Sequence, residues 1–112
     1  MTMKVQIDGQ IIETDKEGHL KNLKEWNEAV AEHLAAQEDI VLSPAHWEIV
    51  YLLREFYTEF ELAPAMRPLV KRVAQKLGSD KGRSIYLMQL FPPSPARVAA
   101  KIAGLPRPAN CL

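Results

Sequence analysis

The chain has 112 residues, 47% of them apolar, which is enough for one domain with a workable core. It has no apolar run of about eighteen residues, so no helix of membrane-spanning length is expected, and its single cysteine excludes an internal disulfide. The net charge of zero divides unevenly: residues 1–66 hold five Lys/Arg against thirteen Asp/Glu, and residues 67–112 hold nine against Asp80 alone. Such a division suits an anionic partner at the basic end, or two halves that fold together and neutralise each other; the second is the simpler account. Residues 1–6 carry no apolar stretch of signal-peptide length, and the lone cysteine agrees with a reducing compartment, so a cytoplasmic protein is expected.

Val5-Gln6-Ile7 and Gln10-Ile11-Ile12-Glu13 flank Asp8-Gly9, the strongest short hairpin signal. Asp15-Lys16-Glu17-Gly18 reads as a turn. Asn22 with Glu25 three residues on has the form of a capped helix start. Leu23, Trp26, Val30 and Leu34 then recur at helical spacing, predicting a helix over 23–38. His33 reads as a surface or boundary residue. Ser43-Pro44 starts a second helix reaching about residue 60. Ile49, Val50, Leu53, Phe56, Tyr57 and Phe60 cover so broad an arc of it that it is expected to be the central one. His46 and Trp47 lie in its first turn. A metal or base site there would need a second histidine or an acidic cluster at ligand spacing, and the sequence offers neither, so packing is the better reading.

Pro64 opens a third helix that Gly78 ends, with Met66, Leu69, Val70, Val73, Ala74 and Leu77 inward and Arg67, Lys71, Arg72 and Lys76 outward. Ser79 is expected to cap a fourth helix that buries Ile85, Leu87, Met88 and Phe91 and stops at Pro92-Pro93. Ser94-Pro95 starts a short fifth helix with Val98 and Ile102 inward, stopped by Gly104. The fold class is mainly α (α+β): a compact bundle of about five short helices with an N-terminal β-hairpin, over residues 1–104.

Residues 105–112 read as a mobile arm. Gly104 suits the left-handed position that ends a helix. Pro106 and Pro108 fix their own φ and bias the residue before each toward extended backbone. An arm starting after Gly104 reaches about 25 Å, and it carries Cys111 one residue from the end. A thiol there packs poorly and meets other molecules well. Arg107, Lys101 and Arg97 are the nearby charges that favour its thiolate, and the carboxylate of Leu112 opposes them. The chain offers no other nucleophile–base pair, so partners would complete any transfer chemistry.

Gly104-Leu105-Pro106-Arg107-Pro108 before a penultimate cysteine resembles the C-terminal arm of the DsrC/TusE family of sulfur-relay proteins. Leu42-Ser43-Pro44-Ala45-His46-Trp47-Glu48, Arg54-Glu55-Phe56-Tyr57 and Ala63-Pro64-Ala65-Met66-Arg67 resemble its middle. Lys81-Gly82-Arg83-Ser84-Ile85-Tyr86-Leu87 and Leu90-Phe91-Pro92 resemble the stretch before its arm, so the likeness covers nearly the whole chain. It implies the same compact helical fold and a sulfurtransferase acting as a relay, in which Cys111 carries sulfur as a persulfide with no cofactor and no metal. Members serving sulfite reduction carry a second cysteine eleven residues earlier and link the two as a trisulfide. Here that position is Ala100. The chain is therefore more similar to the single-cysteine members that serve tRNA 2-thiouridine synthesis. In those, the resemblance implies, the cysteine takes sulfur from an upstream sulfur-relay complex and delivers it to the enzyme that thiolates the wobble uridine of tRNA.

Two alternatives stay open. One is a single-cysteine carrier for another, sulfite reductase-linked pathway. The other is nucleic-acid binding, since the third and fourth helices, joined at Gly78-Ser79, have the outline of a helix-turn-helix. Between residues 67 and 83 stand six Lys/Arg and one Asp. A charged face opposite an apolar stripe is also the ordinary outside of a helix, and binding nucleic acid leaves Cys111 without a role.

Overall fold

Asp8 and Gly9 take φ of +50° and +80°, the mirror-image turn whose twist matches that of its strands. They join β1 (Met3–Ile7) to β2 (Gln10–Thr14) as an antiparallel pair with Val5 opposite Ile12. The computed structural model describes residues 3–108. Ile7 and Ile12 face the core, and the hairpin lies on α1 (Glu28–Gln37). Then follow α2 (Pro44–Phe60), α3 (Met66–Leu77), α4 (Ser84–Leu90) and α5 (Pro95–Ile102), completing the expected α+β architecture. No helix among the described residues is long and apolar enough to cross a membrane.

Three elements depart from expectation, each for a tertiary reason. The helix expected over 23–38 is broken. Asn22 caps only a single 3-10 turn, Leu23–Glu25, and Asn27 starts α1 afresh by accepting the Val30 N–H at 2.9 Å. Trp26 between them is extended, which turns its indole toward α5. The fourth helix begins at Ser84 rather than after Ser79. Gly82 lies so close to Ala74 of α3 that a Cβ would overlap its backbone, and this packed turn fills residues 78–83. That connection is longer than the three or four residues of a helix-turn-helix, and the helix after it has seven residues. On so short a helix only one edge is buried, through Leu87 with Phe91 just beyond its end; Ile85 and Met88 are exposed.

The central helix is α5, not α2. Seven of its eight residues are buried, and it packs against all four other helices. Ala96, Ala99 and Ala100 give it a weak apolar signal in sequence, yet their small side chains let neighbouring helices approach closely. By contrast, Tyr51 and Phe60 on α2 are exposed, and Phe60 leans on Phe56 and the Arg72 guanidinium.

The charge division is resolved in the fold. Arg72–Glu59, Lys76–Glu55, Lys81–Glu48, Lys101–Glu38 and Arg107–Glu17 each join a base of the C-terminal part to an acid of the N-terminal part. These are the ion pairs among the described residues, and none lies within one half. Most are exposed and contribute little individually; Lys101–Glu38 is not.

Candidate functional site

The C-terminal end of α5 is where the body hands over to the cysteine-bearing segment. A helix leaves its last carbonyls without partners, and buried ones must find them elsewhere. Gly104 takes the left-handed φ of +74°. Its N–H reaches the Lys101 carbonyl at 3.0 Å, and the Leu105 N–H reaches that of Ala100 at 2.9 Å. This is the paired closure expected of a glycine stop, with Leu105 buried as its apolar partner. The Ile102 and Ala103 carbonyls it leaves open, and that of Leu105 beyond the helix, are taken by three side chains from distant parts of the chain. Trp26 Nε1–H donates to Ile102 at 2.8 Å, and Arg54 Nη1 donates to Ala103 at 2.6 Å. His19 Nδ1 lies 3.2 Å from the Leu105 carbonyl and must carry the proton, since that oxygen only accepts.

These side chains support one another. The Arg54 guanidinium lies 4.0 Å from the centre of the Trp26 ring, a cation over a π face as well as a charge at a helix C-terminus. Burial draws its pKa down while Tyr51 opposes, but an arginine remains charged at neutral pH. A Cβ at Gly104 would come within 2.5 Å of the Trp26 ring, so glycine is required there both for φ and for room. His19 is buried, and its Nε2 has no hydrogen-bond partner among the described residues.

The turn before His19 completes the site. Asp15 Oδ1 accepts the N–H of Glu17 at 2.8 Å and of His19 at 3.0 Å. Burial pushes the Asp15 carboxyl up, but the His19 and Glu17 N–H groups, with the charge influence of His19, hold it below the usual carboxylate value. A lowered pKa in the folded state means stabilisation that is complete above the unfolded value near 4 and is lost as pH falls through the folded one. Asp15→Asn should therefore cost about 1–2 kcal/mol at neutral pH. Urea unfolding should show the cost constant down to about pH 5 and vanishing in stronger acid.

The residues singled out from sequence fare differently. Cys111 lies outside the described residues, as does the rest of 109–112. Leu105, assigned to the arm, is instead 2% exposed and hydrogen-bonded at both its N–H and its carbonyl. Pro106 and Arg107 are exposed, and Pro108 is buried again. Arg107 donates to Glu17 at 2.9 Å. Lys101 is no open charge beside the arm: its amine is buried and held 2.7 Å from Glu38. Arg97 is half-exposed. On α3, Arg72 and Lys76 are tied to Glu59 and Glu55 of α2, whereas Arg67 and Lys71 are exposed and make no ion pair among the described residues. His46 is structural. Its Nδ1 accepts the Ser43 N–H in a capping box, its Nε2–H donates to Leu90 at 2.8 Å, and its ring stands edge-on to Phe91. Trp47 is half-buried and stacks on Tyr51, and His33 is half-exposed as expected. Ala100 is fully buried on α5. His19 and Arg54 had no signal as site residues, because their partners lie 86 and 49 residues away.

The family described as "DsrC like protein" matches residues 6–112. A protein of Photorhabdus laumondii described as "Sulfurtransferase TusE" is 55% identical over 105 residues, covering 94% of this chain and 95% of that protein. A Haemophilus influenzae protein described as "Sulfurtransferase TusE homolog" is 52% identical over 108 residues, covering 96% and 99%. The solution structure of Allochromatium vinosum DsrC superposes with a TM-score of 0.91 at 45% identity over the whole of both chains.

Proposed function

The chain belongs to the DsrC-like protein family, and on that footing we propose that it is a sulfurtransferase acting as a relay, with Cys111 as the carrier atom's site. Identity above 50% to sulfurtransferases over nearly the whole chain supports the transferase activity. The single observation that carries the relay role is the construction of the α5 terminus: a helix end whose last carbonyls are all paired and from which the chain runs on to the cysteine.

In the step proposed, the Cys111 thiolate attacks the outer sulfur of a donor's persulfide. A bond forms between Cys111 Sγ and that sulfur, the donor's S–S bond breaks, and the donor departs as its thiolate. Two sulfur–sulfur partners are exchanged with no net oxidation, so no cofactor takes part and the cargo rides covalently as Cys–S–SH. The reverse geometry delivers it, an acceptor thiolate attacking the outer sulfur. The donor is an upstream sulfur-relay complex and the acceptor an enzyme that thiolates the wobble uridine of tRNA, in the cytoplasm. Ala100 removes the second cysteine that a trisulfide carrier needs, which favours this acceptor over a sulfite reductase-linked one.

Intact mass tests the reading. After incubation with a persulfide-loaded donor, the protein should gain one sulfur atom and lose it to a thiol reductant. No gain from any competent donor would end the proposal. Arg67 and Lys71, which make no ion pair among the described residues, are proposed to meet the partners. Reversing both to Glu should weaken donor or acceptor binding about three- to tenfold at low salt, and less at high salt. Titration calorimetry at two ionic strengths checks this, and equal affinity at low salt would make the face merely solvated. Arg72 is left out of that test because its guanidinium packs on Phe56 and Phe60.

A further inference from the structure

Three consecutive residues of the turn after β2 reach the end of α5 and the residues that follow it. The Glu17 carboxylate holds Arg107 at 2.9 Å. Gly18 lies against Lys101, where a Cβ would come within 2.5 Å of its Cε. His19 donates to the Leu105 carbonyl. The turn itself is stiff. Asp15 Oδ1 takes two of its N–H groups, the Gly18 N–H reaches the Asp15 carbonyl at 3.0 Å, and the Asp15 N–H reaches that of His19 at 2.9 Å. An isolated bridge between Thr14 and Leu20 closes its base. None of this is needed to end α5, which the Gly104 closure, Trp26 and Arg54 already accomplish. Through Glu17 and His19 the turn acts on the residues after the helix.

Its consequence is a matter of chain length. Pro108 is buried, so the segment is held against the body up to that residue. Cys111 is three residues further on, and an extended chain spans at most about 3.5 Å per residue. Three residues of extended chain span at most about 10 Å beyond Pro108, against about 25 Å for the eight residues after Gly104. The volume within the shorter span is smaller by more than tenfold, roughly the cube of that ratio. A smaller volume means less entropy lost when the thiol enters a partner's site.

We propose that the Asp15–Leu20 turn is a clasp that sets the reach and aim of Cys111, with His19 and Glu17 as positioning residues for sulfur transfer between proteins. This rests on the carrier reading above for its consequence in catalysis, but the positioning itself is measurable without it. His19 is not a catalytic residue in this account; it acts through the Leu105 carbonyl.

Four variants test it: Glu17→Lys, the charge swap E17K/R107E, His19→Leu and His19→Asn. The first pair changes only the exposed Arg107 and the half-exposed Glu17, outside the core, and is expected to fold whatever the fate of the second. Each is measured for sulfur uptake from a persulfide-loaded donor protein and for reaction of Cys111 with a small aromatic disulfide, which needs no docking. The ratio of the two rates separates aim from intrinsic thiol reactivity. Glu17→Lys and His19→Leu should lower that ratio about tenfold, as a misplaced reacting group does. E17K/R107E should regain most of it by restoring the pair in reverse. His19→Asn, which keeps a donor near the place of Nδ1, should lose less than His19→Leu. A nitroxide on Cys111 gives the independent readout. It should broaden one contiguous patch of amides in the wild type and a wider set in Glu17→Lys. An unchanged ratio in both single variants, a swap that fails to rescue, or an unchanged broadening pattern would each overturn the clasp. If wild-type protein takes up no sulfur while the broadening pattern spreads as expected, the carrier reading fails and the clasp stands.

Discussion

Replacing Cys111 with Ser should abolish sulfur uptake outright while leaving the fold as stable as before. The loss is expected to be complete because nothing else in the chain can do the chemistry. Sulfur transfer needs a thiolate, whose ordinary pKa near 8.5 leaves a usable ionised fraction at neutral pH. A serine hydroxyl has no such fraction, and its oxygen forms no exchangeable bond to sulfur. The fold is expected to survive because the core is already closed by the hairpin and the helices packed around α5. The thermal midpoint should match that of the parent, with a difference in stability within about 0.5 kcal/mol. Intact mass after exposure to a loaded donor, alongside a melt by circular dichroism, checks both halves. Equal uptake by the serine variant would move the carrier role off Cys111. A large fall in the midpoint would mean that the thiol packs against the body.

What the sequence yields readily is what is local. Asp8-Gly9 needs only its own φ angles to announce a hairpin, and Ser43-Pro44 needs only its own cap. Gly104 likewise announces the helix stop, and its φ and both closing hydrogen bonds follow. Helical spacing in α3 works because one stripe is apolar and the other basic. The failures occur where a distant partner outweighs a local preference. Trp26 fits a helix by spacing, but its indole is drawn out to the Ile102 carbonyl, 76 residues on, and the helix breaks there. Gly82 is an ordinary turn residue until Ala74 lies against it. Lys101 reads as a solvated charge because lysine nearly always is one, and only the fold shows Glu38 and Gly18 closing over it. For the site, the sequence names the end that matters but not what holds it. Trp26, Arg54 and His19 converge on three carbonyls, and no spacing rule links a side chain to a backbone oxygen far along the chain.

Lys101 also carries the largest expected effect on stability, and the effect should be lopsided. Its side chain is 4% exposed and that of Glu38 is 18% exposed, with 2.7 Å between amine and carboxylate. A buried pair offsets the cost of desolvating two charges by their mutual attraction, so its net contribution is small. Removing one partner exposes the uncompensated cost of the other, and here the two partners differ in their escape routes. Glu38 lies at the edge, on the last turn leaving α1, and can swing into water. Lys101 sits on the central helix, roofed by Gly18, and has nowhere to go. Glu38→Ala should therefore cost about 3–5 kcal/mol, lowering the thermal midpoint by well over about 10 °C. Lys101→Met keeps the apolar stem that packs under the turn and removes the charge, and should cost no more than about 1 kcal/mol. In the double variant the methionine should recover most of what Glu38→Ala loses, because no buried ammonium remains to be stranded. Urea unfolding of the two single variants and the double variant measures the coupling directly. Equal losses from both single variants would show that the pair stabilises by attraction rather than by mutual relief of burial. A trivial loss from Glu38→Ala would show that the amine reaches solvent, and that the turn over it is looser than its hydrogen bonds indicate.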